Sequence, residues 1–395
     1  MSAEGEAIRS NDYRKDTTVK APSTRPAAVL GLDVGKSSHW ACLIDRGGEV
    51  LASAPVRNRE GALDALFSSA PAGTLVVVDQ FRNIGSLAVR RARAEGMEVA
   101  QQPGLAARRA DGQVDGEAKT DERDAEVIAR TALGVPDSLS GVPGRGEALE
   151  AARALSSQRD HVVACATRDK NRLRAVLLES CPALEAAVDL SDRRWLELLA
   201  GFGGAWGIAR SGAGGPRAEA AGEAAAASTA PPPALVEAEN RQVRFLAARI
   251  SEALDEAGAL EAETAALLEG DETYACLLTV PGIGPRTAAQ LAVSVDIARF
   301  PDHDHLASYR GIAPRVRSSG TSVRSVRASR RGDARLKSLL IFSCNSLVRS
   351  SGRYGEYCRA CRARGMGHGR ALKAVARKRL RAIYAVMRDR VPYRE

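Results

Sequence analysis

The sequence predicts an α/β domain followed by a mainly helical half, and three observations carry that reading. Over residues 27–135, short apolar runs alternate with segments of helical spacing, the pattern of a mixed sheet covered by helices. After Pro136 the period becomes helical. A heptad then runs over residues 236–267, with Val236, Val243, Ile250, Ala257 and Thr264 at one seam position and Leu246, Ala253, Leu260 and Leu267 at the other.

Each element has a local cause. AAVLGLDVG is a buried strand ending near Asp33, and SSHWACLIDRGGEVLASAPV is a hairpin with glycines in its turn. NREGALDALFSSA has helical spacing, and TLVVVDQ is a second buried strand, ending at Asp79. IGSLAVRRARAEG is a helix closed by Gly96, and MEVAQQ a short strand. Thr120 caps the helix that opens at Asp121. Residues 147–180 form a long helix with Arg and Lys off its apolar face. Residues 205–233 are a low-complexity stretch poor in core formers and end in STAPPP, so a boundary or flexible insertion is expected there. The heptad suits a coiled coil, and it suits equally an amphipathic helix packed inside its own domain. The expected organisation is a disordered arm over 1–26, an α/β domain over 27–146, a helical or coiled-coil segment over 147–272 and a basic domain over 273–395.

Composition narrows the function classes. Of 395 residues, 45% are apolar and 27% charged, a globular mixture. No run of about 18 apolar residues is present to span a membrane, and the first residues hold no apolar leader core. Seven scattered cysteines make no disulfide framework, which points to a reducing, cytoplasmic setting; the single Cys358-x2-Cys361 pair is too little for a zinc site. Charge is divided unevenly. Residues 301–395 hold 23 Lys and Arg against 6 Asp and Glu, a net of +17, while the other 300 residues hold 34 against 42, a net of −8. A terminal region this basic is expected to bind nucleic acid, because neutralised phosphates release counterions.

Four acids stand out. Asp33 and Asp79 end two strands, and Asp121 and Asp124 share one helix face at i and i+3. Taken singly, each reads as a turn residue or a helix-dipole partner. Taken together, clustered carboxylates repel unless cations neutralise them, and hard oxygen donors suit Mg²⁺, a pair of ions about 4 Å apart being able to clamp a phosphate.

The basic half carries two further motifs. PGIGPRTAA reads as a helix-hairpin-helix element, in which Gly282 and Gly284 would let a phosphate approach the backbone and the N–H groups at the next helix start would complete an anion site, with Arg286 a further nucleic-acid contact; the alternative is a tight αα-corner with only a packing role. Ser318, Ser319 and Gly320 lie in a stretch crowded by Arg315, Arg317 and Arg324, with Arg330, Arg331 and Lys337 following. A serine there can contact a phosphate, or attack it once guanidiniums neutralise the non-bridging oxygens.

These motifs, in order, resemble a known family. GLDVGKSSHWACLIDRGGEV, VVVDQ and AKTDERDAEVIA resemble the N-terminal domain of the DEDD transposases of the insertion-sequence 110 type. GIAP, the order P-x-x-x-x-S-G, RRGDARLK and GHGRALKAVARKRLRAIYAVMRD resemble the family's C-terminal transposase domain. The resemblance implies an RNase H-like (RuvC-like) fold with metal-binding acids at Asp33, Asp79, Asp121 and Asp124, and Asp79 stands where the family has Glu. It implies Ser319 as nucleophile, and it places Asp333 where Asn is commoner. The function implied is DNA transposition through a phosphoserine intermediate, guided by a bridge RNA that pairs with target and donor DNA; a homo-oligomer is expected because strand exchange needs more than one active site, in the cytoplasm and associated with the nucleoid. A DNA invertase, a junction-resolving nuclease and a non-catalytic nucleic-acid-binding relic remain as alternatives.

Overall fold

The computed structural model describes residues 26–102, 120–142, 144, 146–309, 314–317, 325–328 and 334–394. All but the last residue of the expected arm over 1–26 lies outside these, as does Ser319. The chain divides after Gly144 into two compact units.

The first unit is a six-stranded mixed sheet. Its elements are β1 (Ala28–Asp33), β2 (Ser38–Asp45), β3 (Val50–Arg57), α1 (Glu60–Ser69), β4 (Thr74–Val78), α2 (Ser86–Ala94), β5 (Glu98–Gln101), α3 (Asp121–Gly134) and β6 (Ser140–Gly141). The strand order is β3-β2-β1-β4-β5-β6. β1, β2 and β3 form an antiparallel meander, and β4 and β5 continue it parallel to β1. This is the RNase H-like arrangement.

Alternation along β1 sorts its side chains between two cores. Leu30 and Leu32 pack with Leu63, Phe67, Ala88 and Val89 of α1 and α2. Val29 packs with Ala125, Ile128 and Ala129 of α3. All five residues of β4, TLVVV, are buried, since both faces of this central strand are covered. Val50 and Leu51 of edge strand β3 are 40% and 51% exposed. Gly48 takes φ +88° in the β2–β3 turn, a conformation that glycine adopts without strain.

Among its described residues, the second unit is helical apart from one hairpin. Two long helices, α4 (Glu147–Ser180) and α9 (Pro233–Leu267), run antiparallel. Arg159 meets Glu261 at 2.7 Å near one end, and Arg249 meets Asp169 at 3.1 Å further along. Between them in sequence come α5 (Pro182–Ala187), α6 (Arg193–Phe202), α7 (Ala205–Ser211) and α8 (Pro216–Ala226). After α9 follow α10 (Glu272–Leu278), α11 (Pro285–Ser294), α12 (His303–Tyr309), the hairpin β7 (Pro314–Arg317) and β8 (Ser325–Ala328), α13 (Ala334–Phe342), α14 (Asn345–Arg349), α15 (Arg353–Ala363) and α16 (His368–Asp389). Among the described residues, no helix is long and apolar enough to cross a membrane.

Three expectations are corrected here. The stretch 205–233 is no flexible insertion: α7 and α8 fold onto a core shared by α6 and the two long helices, where Ala218, Ala221, Ala224 and Ala225 pack with Trp195, Leu196 and Leu199 of α6. Alanine supplies helix propensity and close approach, while its neighbours supply the bulk. The heptad seam is filled from within the chain. Val243, Leu246 and Ile250 pack with Leu173, Val176 and Leu177 of α4, so this stretch of the expected coiled coil has an intrachain partner. At its last position Leu267 is 38% exposed, and Leu268 is buried in its place. Nor does the chain divide at 272/273. Ala152 of α4 and Leu268 share one core with Leu277, Leu291, Leu340 and Ile383, so 147–272 and 273–395 are one unit.

Candidate active site and nucleic-acid interface

Sheet register sets two of the four acids side by side. β1 and β4 are parallel with Leu32 opposite Val78, so Asp33 and Asp79 are the next residues at the carboxyl ends of adjacent strands. Ligand sites of α/β sheets lie at such ends. The Val34 amide donates to Asp79 Oδ1 at 3.3 Å, tying the chain just after Asp33 to the second acid.

α3 brings the third. Thr120 accepts from the Arg123 amide and starts the helix, and Asp121, Glu122 and Asp124 fill its first turn, where the dipole favours acids. The helix lies almost on the strand. At Gly31 a Cβ would fall 2.4 Å from Ala125 O and 2.7 Å from Ala129 N, so glycine is what lets α3 approach β1. Asp124 is half-buried and close enough for its charge to act on Asp79, whereas Asp121 is exposed. The structure therefore brings Asp33, Asp79 and Asp124 to one end of the sheet and leaves Asp121 on the rim.

Burial holds the Asp79 carboxyl above its ordinary value; the amides of Val34 and Gln80 oppose this, and the charge of Asp124 adds to it. A buried carboxyl beside a second carboxylate forms a site that a cation relieves, and an all-oxygen donor set suits Mg²⁺. Among the described residues, no three His, Cys, Asp or Glu side chains stand close enough as a group to hold a metal ion.

The sequence reading missed the residues that brace this end of the sheet. His39 is 2% exposed, and its Nδ1 accepts the Gly35 amide at 3.2 Å, pinning the turn that follows Asp33. Burial lowers its proton affinity, against Asn58 and Asp79, so the neutral ring fits this role. Asn58 donates to Lys36 O at 3.2 Å and to Ile84 O at 3.4 Å, lacing the loop after Asp33 to the loop after Asp79. The signal available was a histidine and an asparagine bracketing a hairpin, which is weak without tertiary contacts.

In the second unit, α10, a turn and α11 occupy the expected hairpin segment. Gly282 takes φ +75°, and a Cβ there would lie 2.9 Å from both Ser343 O and Leu347 Cδ1. The turn and the packing thus each require glycine here. Gly284 differs: nothing lies within 4 Å of where its Cβ would stand, and no side chain caps α11 behind it. Arg286 lies beside Arg159, Asp160 and Glu261, and partial burial together with the Arg159 charge loosens its proton. A buried cation holds the turn from below. Arg379, 1% exposed, donates to Pro281 O at 2.6 Å and Ser343 Oγ at 2.8 Å, with no carboxylate partner among the described residues. Within an arginine-rich helix it could not be told from its exposed neighbours.

Arg315 and Arg317 lie on β7, whose register with β8 pairs Arg317 with Ser325. Residues 318–324, which join the two strands and include Ser319 and Arg324, lie outside the described residues, as do Arg330, Arg331 and Asp333. Lys337 is half-buried on α13. Cys358 and Cys361 are buried in a small core with Cys344, Tyr354 and Leu372, a packing role.

An RNase H-like sheet with carboxylates at the ends of neighbouring strands, in a chain whose last third is strongly basic, defines a class: enzymes that cleave and transfer DNA strands. The comparisons narrow it. One family model, described as "Transposase", matches residues 30–182, and another, "Transposase IS116/IS110/IS902 family", matches residues 274–359. The insertion element IS110 43.6 kDa protein of Streptomyces coelicolor is 34% identical over 91% of this chain and 94% of its own. The pilin gene-inverting protein of Moraxella bovis is 35% identical over 30% of this chain and 37% of its own. Among solved structures, T. thermophilus RuvC in complex with Holliday junction substrate matches 29% of this chain and 99% of its own, at 15% identity and a TM-score of 0.24. The chain belongs to the IS116/IS110/IS902 transposase family.

Proposed function

We propose that this transposase cuts and rejoins DNA through a covalent phosphoserine intermediate formed by Ser319. The observation that carries the reading is the placing of Asp33, Asp79 and Asp124 at one end of an RNase H-like sheet, in a chain whose last 95 residues carry a net charge of +17. Asp33, Asp79 and Asp124, with Asp121 at the rim, would hold Mg²⁺ once drawn together around it, and the ion would offset negative charge building on the reacting phosphate. The Ser319 oxygen attacks phosphorus, its proton is lost, and the bond to the 3′ oxygen breaks; that oxygen leaves and takes a proton. The phosphoester so formed keeps the bond energy, so a second hydroxyl can displace the serine without an external energy source. Arg315, Arg317 and Arg324 neutralise the non-bridging oxygens, and Arg330, Arg331 and Lys337 hold backbone.

Sequence choice is delegated to a bridge RNA whose loops pair with target and donor DNA, with the protein gripping backbones. More than one copy acts, because two duplexes exchange strands. The likeness to a pilin gene-inverting protein supports a second reading, in which the same chemistry inverts a segment within one molecule. The test is a denaturing gel of protein incubated with Mg²⁺, labelled DNA and transcripts of the flanking noncoding segment. A slow, protease-sensitive band is expected, absent in Ser319→Ala and Asp124→Asn and retained in Ser318→Ala. Cleavage without any adduct would instead support a hydrolytic nuclease. Junction products from one circular substrate, rather than from two molecules, would favour inversion.

A further inference from the structure

A cleft in the second unit has no role in the proposed chemistry, yet its lining suits an anion. It has a volume of about 410 Å³ and lies among α14, α15 and the start of α16, lined by Asn345, Arg349, Arg359, Arg362 and His368 beside two small apolar contacts. Among the described residues, no carboxylate lines it. Residues 345–370 contain six arginines and one acid, Glu356, which sits in the first turn of α15 and outside the lining. All four basic side chains of the cleft are exposed. The Arg359 guanidinium donates to Ser350 O at 3.2 Å, and no ion pair joins Arg349, Arg359 or Arg362 to an acid among the described residues.

Unneutralised guanidiniums gathered around one cleft make a positive potential that concentrates anions there. Planar guanidiniums match the oxygens of a phosphate in pairs, whereas Asn345 offers both a donor and an acceptor suited to a sugar or a base edge. The backbone is bare here too. Gly367 and Gly369 flank His368, and at neither would a Cβ meet any atom within 4 Å. The volume falls within the range of about 300–1,000 Å³ for pockets that enclose a whole small ligand, larger than a bare phosphate requires. A continuous duplex is convex and would rest across the rim without entering.

We propose that this cleft seats one unpaired nucleotide of a bound strand, gripped through its phosphate by Arg349, Arg359 and Arg362. The proposal rests on the reading of the chain as a nucleic-acid enzyme, and it adds a single-strand site separate from the carboxylates.

The test compares Arg362→Ala and Arg349→Ala, on different helices, with Arg388→Ala, which removes an equal charge from a guanidinium paired with Asp389. Binding of the full chain to labelled single-stranded RNA, single-stranded DNA and duplex DNA is measured over a salt series. Each cleft variant is expected to weaken single-strand binding about tenfold and to lower the salt slope by about one phosphate contact, with Arg388→Ala near wild type. A larger loss for RNA, or for DNA, identifies which strand the cleft holds. Single-strand losses no greater than those of Arg388→Ala would overturn the proposal, as would duplex losses equal to the single-strand ones. Ser319 adduct formation by the wild type, measured alongside, tests the transposase chemistry independently of the cleft.

Discussion

Replacing Gly31 by alanine probes how α3 is held over β1. A methyl group there would lie 2.4 Å from Ala125 O, 2.7 Å from Ala129 N and 3.0 Å from Ala129 Cβ, where ordinary contacts begin near 3.4 Å. Two of the three are backbone atoms, which no rotamer change can move, so α3 must withdraw by about 1 Å. Overpacking on this scale costs about 1–3 kcal/mol of stability, read by chemical denaturation. The larger effect is on chemistry, because Asp124 rides on α3 while Asp33 and Asp79 stay on the strands. A displacement of about 1 Å at a reacting site costs roughly 100-fold in rate. Mg²⁺-dependent cleavage of labelled DNA, scaled to the folded fraction, is the assay. Wild-type cleavage per folded molecule, with or without the stability loss, would refute the idea that close helix–strand approach positions the carboxylates.

Glu239 gives a pH-dependent expectation. It is buried on α9 and accepts a hydrogen bond from the Ser180 hydroxyl. Burial holds its carboxyl above the ordinary value, against the Ser180 bond, so folding favours the protonated form. That contribution is complete below the unfolded carboxylate range and is lost as pH rises through the raised folded value. Glu239→Gln keeps the acceptor without the charge, so it should melt higher than wild type at neutral pH, with the gap closing on acidification; a lower melting temperature at neutral pH would contradict this. Ile250→Lys tests the helix pair. Its side chain is fully buried against α4, so the variant should lose about 4 kcal/mol and unfold or aggregate. A folded monomer of unchanged stability, seen by light scattering and denaturation, would return this seam to contacts between copies.

Much of the first domain was legible because its signals are local. The run AVLGLD, the paired glycines after Asp45 and the all-apolar TLVVV each state strand, turn and burial within a few residues. That Asp33 and Asp79 are neighbours followed from both ending strands, but their register came only with the parallel pairing of β1 and β4. Gly31 and His39 escaped notice for the same reason: what they touch is distant in sequence or hidden by burial. In the helical half, PRAEAAGEAAA looked too poor in large apolar groups to fold, because the bulk it packs on comes from Trp195 and Leu199. The division expected at 272/273 failed because Ala152 and Ile383 meet in one core across more than half the chain.

Two hydrophobic cores are strung on one antiparallel helix pair, which at 1.5 Å per residue over the 35 residues of α9 is about 50 Å long. The tip core gathers α5 to α8, and the base core gathers α10 to α13 with α16. Along the rod, between Ile250 and Leu268, α9 buries Ala257, Leu260 and Thr264, a thinner contact than at either end. Opening of the tip therefore need not propagate to the base, and the unit should exchange its amide hydrogens as two cooperative blocks joined by a helical shaft, each with its own free energy of opening.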